Sequence, residues 1–262
     1  MAMYPPTGSY DHPASADPLV PLGFDQWMSK VLGVVRRSWQ PLVVVQVVAA
    51  LPGLLLSGAA EWVVLGGAPP APADAVGAGL AGGLIAIVFA LFAQGASVFV
   101  AIRDAVGRPV PASDALRFAA GRALPLLGWG LLAGLIAIVG YVLLILPGIY
   151  CTIVFAAALT GVVIVERGSI DRAFTLVNRR FLPTAGRLLV IAVMAFAYSI
   201  AVGVIVSIFT EPGGLAERLL TGLLMLPVSL VSVGVAVVTY AELRFHENPS
   251  VSSGWLAAEL ER

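Results

Sequence analysis

The sequence predicts an all-α fold, a polytopic membrane helix bundle of six transmembrane helices. Three observations carry that expectation: too few charges to coat a water-facing surface, six long apolar stretches, and basic residues gathered in alternate loops. Hydrophobic residues make up 59% of the 262 positions and charged residues only 11%. Mean hydropathy is +0.97. A soluble domain carries roughly 25% charged residues, so a water-soluble class is excluded and a bilayer is the natural solvent.

Residues 1–20 are rich in Pro, Ser and Asp. They have neither the basic start nor the apolar run of a secretory signal, and they read as a disordered, Pro-rich tail. Phe24, Trp27, Met28, Val31 and Val35 then recur at helical offsets, forming an amphipathic stripe ahead of Pro41. The first apolar stretch covers 41–60 and the second 78–102, each close to the roughly 20 residues that cross a hydrocarbon core as helix. The second opens on GAGLAGG at 77–83, a run that permits close helix packing. A weaker stripe of Leu116, Ala119, Ala120, Ala123 and Leu127 leads into a third stretch at 124–146, with Pro125 near its start.

The third and fourth stretches, 124–146 and 149–165, are joined by LPGIY, whose Pro147 and Gly148 predict a tight helical hairpin. Next comes VERGSIDRAFTLVNRRFLPTAGR, residues 165–187, holding five arginines: Arg167, Arg172, Arg179, Arg180 and Arg187. Within it Ile170, Ala173, Phe174, Val177 and Phe181 fall on one helical stripe, with Ser169 placed to cap it. An amphipathic helix with a basic face lies in the membrane interface or packs beneath the bundle. The last two stretches cover 188–209 and 219–241, and 246–262 read as a short C-terminal tail. The membrane domain is thus 21–245. Each stripe has an aspartate near its start (Asp25, Asp114, Asp171), and a proline stands where each odd-numbered span begins (Pro41, Pro125, Pro183). Proline suits the first turn of a helix, so a threefold unit of interfacial helix, span and span is expected, with interfacial helices before spans one, three and five.

The formal net charge is zero, and the charges are strongly segregated. Of fifteen basic residues, fourteen fall in the termini and the even-numbered loops, and only Arg218 falls in the other set. Glu61, Asp74, Glu211 and Glu217 lie in that second set. The positive-inside rule then expects a multi-pass plasma-membrane protein with both termini and the arginine-rich loops cytoplasmic. Trp62, Trp129 and Tyr150 sit near the expected interfaces.

LPGIY, the string VIVERGSIDRAFTLVNRRF and the closing YAELRFHENPS resemble the six-span bacterial family named for the membrane domain of glycerophosphoryl diester phosphodiesterases. The resemblance covers about residues 20–250. It matches Glu166 to an acidic position, Arg179 or Arg180 to a basic helix, and Tyr240, Leu243, Arg244 and Glu247 to the closing string. Glu242 stands where that family has aspartate, and His246 where it has a basic residue. The resemblance implies a six-span integral membrane protein without an enzyme domain of its own.

Three functional classes are open to such a chain. A phosphodiesterase head needs clustered His, Glu and Asp, usually around a metal, whereas His12 and His246 lie near opposite ends and no soluble segment is long enough. Neither a phosphate-binding loop nor a nucleophile elbow occurs. The chain is therefore expected to be non-enzymatic, with no cofactor, no metal and no nucleic-acid partner. A transporter usually carries ionisable groups in mid-span. Here Gln46 and Gln94 are the most polar residues at depth, expected as interhelical hydrogen bonds. Pro52 and Pro227 interrupt the first and last spans, as in broken substrate-binding helices or plain kinked ones. The favoured class is a lipid-interacting scaffold or docking subunit. Arg172, Arg179, Arg180 and Arg187 are its candidate contacts for anionic headgroups or for a protein partner on the cytoplasmic face. Transport of a lipid or small molecule is the alternative, and a membrane partner of a phosphodiester-lipid enzyme the second. Glu166, at the end of an apolar run, must find a cation; a loop arginine or Arg244 is expected, with Glu242 in the same ion-pair network. Cys151 is the single cysteine, so no internal disulfide forms.

Overall fold

A computed structural model describes residues 17–65, 72–211 and 214–262. They are helical almost throughout, and no strand occurs among them. The helices are α1 (Phe24–Leu65), α2 (Pro72–Ala105), α3 (Ala112–Gly121), α4 (Ala123–Leu143), α5 (Ile145–Val154), α6 (Ile170–Asn178), α7 (Phe181–Phe209), α8 (Leu215–Glu247) and α9 (Ser253–Leu260). Four segments are long and apolar enough to cross a membrane: Leu80–Ala105 within α2, and α4, α7 and α8. The side chains of Glu61, Trp62 and Asp74, and His12 in the N-terminal segment, lie outside the described part.

The core surrounds the C-terminal half of α8, which is almost continuously buried from Val233 to Arg244. Trp27 and Val31 of α1, Ile102 of α2, Ile164, Leu176 of α6 and Leu256 and Leu260 of α9 close around it. By contrast α7 and α4 turn most of their Leu, Ile and Val side chains outward, as do Leu144, Ile145 and Leu146 at the hairpin tip. So much continuous exposed apolar surface is tolerated in lipid and not in water.

The first amphipathic stripe is not a separate helix. α1 runs unbroken through Pro41 and Pro52. Trp27, Val31, Val34, Ser38, Leu42, Val45 and Ala49 form one buried face that crosses Pro41 without interruption. Packing along that face outweighs the single backbone hydrogen bond the proline removes. The second and third stripes begin in the short helices α3 and α6 and run past their ends, with Ala123 and Leu127 in α4, Phe181 in α7, and Pro125 and Pro183 in the first turns of α4 and α7.

The hairpin also differs in detail. The chain reverses at Leu144, whose extended backbone separates α4 from α5. Pro147 and Gly148 sit in the first turn of α5 instead, where proline costs nothing. Gly140 and Gly148 face each other so closely that a Cβ on Gly140 would lie 3.0 Å from the Gly148 Cα. Beyond Val154 the same rod continues to Glu166 through two π-helical segments, Phe155–Leu159 and Val162–Glu166. It ends on Arg167 in the left-handed region at φ 55°, with the Gly168 N–H donating to the Val162 carbonyl at 3.1 Å. This bond is one residue wider than the 6→1 closure of a Schellman cap, in keeping with the π-helical winding it ends, and arginine takes the left-handed place that glycine usually fills. The reversal lays α6 back along the rod: the Tyr150 hydroxyl donates to Asn178 at 2.6 Å, and the Tyr150 ring meets Phe174 and Phe181. Tyr150 and Glu166 are ~24 Å apart along a helix, so the 167–181 segment accompanies the rod instead of staying at one end of it.

Residues 17–20 and 251–260 are packed into the core and are not loose tails. Leu19 and Val20 are fully buried, which corrects the expectation of disorder for residues 17–20; residues 1–16 lie outside the described part. Asp17 accepts hydrogen bonds from the amides of Leu19 (2.9 Å) and Val20 (3.0 Å). It also accepts from the Ser253 amide (2.8 Å) and hydroxyl (2.6 Å) at the start of α9, so it caps that helix from the far end of the chain. Arg103 and Arg108 bind Glu261 just beyond α9. The contiguous strings DPLVP and SSGW were therefore structural signals that polarity alone concealed.

Burial pushes the Asp17 carboxyl up, but the Ser253 hydroxyl and amide, with the Leu19 and Val20 amides, outweigh it and hold the group below its ordinary value. The folded state thus prefers the carboxylate. Its stabilising effect is complete above the ordinary carboxylate range, near 4, and is lost as pH falls through the lower folded value. Protection against hydrogen exchange, relative to the free-chain rate at the same pH, should fall at residues 19, 20, 22 and 253–260 only below about pH 4 in the native chain. Asp17→Asn should exchange fast at every pH, and a native profile in that variant would refute the clasp.

Candidate functional site

The C-terminal turns of α8 place Tyr240, Glu242, Arg244, His246 and Glu247 beside the end of the α5 rod, α6 and the start of α7. Glu166, its side chain 11% exposed, lies at the centre. One carboxylate oxygen accepts from Arg172 Nε at 2.7 Å and contacts Arg244 at 2.5 Å; the other accepts from the Tyr240 hydroxyl at 2.9 Å. A carboxylate removed from water needs this many donors to replace its lost hydration. Tyr240 reaches it because residue 161 is glycine: a Cβ there would run into the Tyr240 ring.

From Glu166 the network spreads in two directions. Arg172 grips Glu247 through both terminal nitrogens, one of them at 2.8 Å. Those bonds, opposed by burial and reinforced by Glu166, raise the Arg172 pKa still further above its ordinary value. Arg179 also reaches Glu247, at 3.5 Å. Arg244, only 9% exposed, reaches Glu259 of α9 at 3.3 Å and lies over the Trp255 ring at 4.7 Å. Burial raises the Glu259 carboxyl above its ordinary value, and Arg244 opposes the shift. Three carboxylates (Glu166, Glu247, Glu259) thus meet three guanidiniums (Arg172, Arg179, Arg244), and the assembly is neutral.

Glu242 belongs to a second, adjoining group. It pairs with Arg187 of α7 and lies 3.8 Å from His246, one turn on. Arg187 also sits over the Trp27 ring at 5.8 Å, whose indole N–H donates to the Thr239 hydroxyl at 3.1 Å. Arg180 hydrogen-bonds the His246 ring, not a carboxylate. Between the two groups opens a cleft of about 320 Å³, lined by Leu176, Arg179, Arg180, Leu243, His246 and Glu247.

The structure thus divides the four arginines singled out from sequence. Arg172 and Arg187 are internal braces with their charge neutralised, whereas Arg179, 57% exposed, and the exposed Arg180 line the cleft. Of the two glutamines, Gln46 donates to Ser97 at 3.3 Å, joining α1 to α2; Gln94 is half-buried on α2. Sequence reasoning missed Arg122, which donates to the Ile164 carbonyl inside the second π segment and reaches the Leu260 carbonyl at 3.5 Å. π-helical turns displace backbone acceptors from the regular ladder, and no local pattern marks which distant side chain will meet one.

Among the described residues no group of three or more His, Cys, Asp or Glu side chains could hold a metal ion. The carboxylates are saturated by arginines and Tyr240, which suits bracing and anion contact better than proton transfer. Comparison with known proteins finds no matching family model, no matching curated protein and no matching solved structure.

Removing one member of a buried pair strands its partner, at about 3–5 kcal/mol. Glu166→Ala should therefore lower thermal stability in detergent markedly, and Tyr240→Phe by about 1 kcal/mol. In a Glu166→Ala/Arg172→Ala cycle the coupling should fall within about 0.5–3 kcal/mol; strictly additive effects would show that the pair contributes nothing specific.

Proposed function

We propose that this chain is a non-enzymatic integral membrane protein of the bacterial plasma membrane, a lipid-interacting scaffold that reads anionic headgroups at the cleft between α6 and α8. One observation carries the reading: Arg180 is an exposed cation facing a histidine ring, and its neighbour Arg179 shares a carboxylate that Arg172 already holds through two bonds. Arg180 and Arg187 set two positive charges against the single carboxylate of Glu242, and the net charge this leaves beside the cleft attracts anionic lipid, at about 1 kcal/mol per basic residue. The resemblance to the membrane domain of glycerophosphoryl diester phosphodiesterases is part of this proposal, since headgroups of that chemistry present a phosphate to such a site.

The proposed orientation has both termini cytoplasmic and six apolar segments, from the asymmetry of fourteen basic residues against Arg218. The contact of Asp17 with Ser253 supports it, because two segments that touch outside the bilayer have an even number of crossings between them. Along α8, Arg218 and Arg244 are ~39 Å apart, close to the roughly 40–45 Å between headgroup regions.

Native mass spectrometry of the gently solubilised full chain tests the lipid site. Arg179→Gln/Arg180→Gln should lose phosphatidylglycerol adducts by about 30-fold, two residues' worth of attraction, with thermal stability nearly unchanged. Undiminished adducts would overturn the site, and a co-purifying protein in place of lipid would point to a docking subunit. Orientation is checked in a Cys151→Ala background with a membrane-impermeant maleimide on spheroplasts. Glu211→Cys should label at once and Ser250→Cys only after lysis; the reverse order would invert the topology.

A further inference from the structure

His246 closes one side of the cleft between α6 and α8, its side chain 34% exposed and open to water. Its Nε2 atom faces two partners of opposite charge. Arg180 hydrogen-bonds that nitrogen, and Glu242 Oε1 lies 3.8 Å from it, one turn back on the same helix. A guanidinium only donates, so Nε2 accepts, and the imidazole is neutral with its proton on Nδ1. Charged groups reach this corner from each packed segment. Arg179 and Arg180 follow α6, Arg187 stands on α7, and Glu242 and Glu247 stand on α8. Glu247 is engaged by Arg172 and Arg179, and Glu242 by Arg187. Burial, then Arg180, hold the His246 pKa below its ordinary value near 6.5; Glu242 opposes them and Arg187 adds to them.

We infer that His246 is an acid-sensitive latch on the cleft: a proton on Nε2 exchanges the Arg180 hydrogen bond for one to Glu242 and releases the Arg180 guanidinium to a headgroup phosphate. This rests on the headgroup reading of the cleft and adds its regulation. One nitrogen cannot accept from Arg180 and carry a proton at once, so the two partners exclude each other. The proton comes from water and forms a single N–H bond, and only the hydrogen bond to Arg180 is lost. Glu242 is placed to receive the new N–H, because a small turn of the ring brings 3.8 Å to hydrogen-bond length. In the neutral state Arg180 and Arg187 face one carboxylate, Glu242; in the protonated state three cations face it. Headgroup attraction therefore grows as pH falls through the lowered His246 value. By reciprocity, a bound phosphate favours the protonated ring and moves its titration upward. Histidine is the side chain whose charge changes in this range.

One test needs no lipid. His12 and His246 are the two histidines, so His12→Gln leaves a single imidazole to observe by nitrogen-15 NMR in zwitterionic detergent. At about pH 7.5 the ring should show the Nδ1–H tautomer. Its titration midpoint should lie below 6.5 and rise in Arg180→Gln. An Nε2–H tautomer, or a midpoint that Arg180→Gln does not move, would overturn the latch. A second test equilibrates the full chain with phosphatidylglycerol at about pH 7.5 and about pH 5 before native mass spectrometry. Retention should rise about fivefold at the lower pH, one added basic residue's worth of attraction. His246→Gln keeps an oxygen for Arg180 but takes no proton, and should hold the neutral-pH level throughout. His246→Lys, charged at both values, should retain at neutral pH what the native chain retains only in acid. A gain in His246→Gln equal to the native one would place the pH effect elsewhere and sink the inference. No native gain, while Arg179→Gln/Arg180→Gln still loses its adducts, would overturn the latch and leave the cleft standing. Undiminished adducts in that double variant would instead overturn the headgroup reading itself, and with it the role of the latch in lipid binding.

Discussion

A carboxylate at the end of an apolar rod is the constraint on which the rest of this structure depends. Glu166 is too buried to be solvated by water alone, so charged and hydroxyl donors must come to it. Arg172 comes from α6, Tyr240 and Arg244 from α8. Meeting that need dictates three local features. The chain turns at Arg167 through a left-handed residue to bring α6 alongside. Position 161 lacks a side chain so that Tyr240 can approach. α9 supplies Glu259 and Trp255, which hold Arg244 in place. The π-helical winding before Glu166 fits the same picture, since its displaced Ile164 carbonyl is taken up by Arg122. Packing and electrostatics are thus not separate layers here.

The arginines do two kinds of work, and sequence could not separate them. Positive charge near an apolar segment signals topology and lipid contact alike, and five arginines in one short stretch read as a single basic surface. In three dimensions Glu166 and the carboxylates of α8 claim some of them and leave others. Which ones are claimed depends on Glu247 and Glu242, 75 and 55 residues away. Periodicity reports only which residues share a face of one helix.

Much of the architecture was nevertheless legible. Apolar run lengths located α2, α4, α7 and α8, and the stripes around Leu116 and Ile170 located α3 and α6. A carboxylate ending an apolar run was enough to demand a cation. What escaped were features set by distant partners. Pro41 reads as a helix start because proline favours first turns, yet an unbroken buried face carries α1 through it. The chain ends read as tails because they are short and polar, yet Leu19, Val20, Leu256 and Leu260 are core residues. LPGIY correctly announced a reversal, but the pair that marks it lies just past the bend, where proline is pre-shaped for the first helical turn.

The clasp between Asp17 and Ser253 spans 236 positions of sequence, and this sets the order in which the molecule can be completed during synthesis. At about 5–20 residues per second, Leu19 and Val20 leave the ribosome roughly 10–50 s before α9 exists to cover them. Trp27 and Val31 likewise wait for α8. Throughout that interval the earliest helices present an unfilled seam, available to an insertase or a membrane chaperone. Only α9 closes it. A chain that lacks α9 would keep the long helices with that seam still open, a ready mark for membrane proteases.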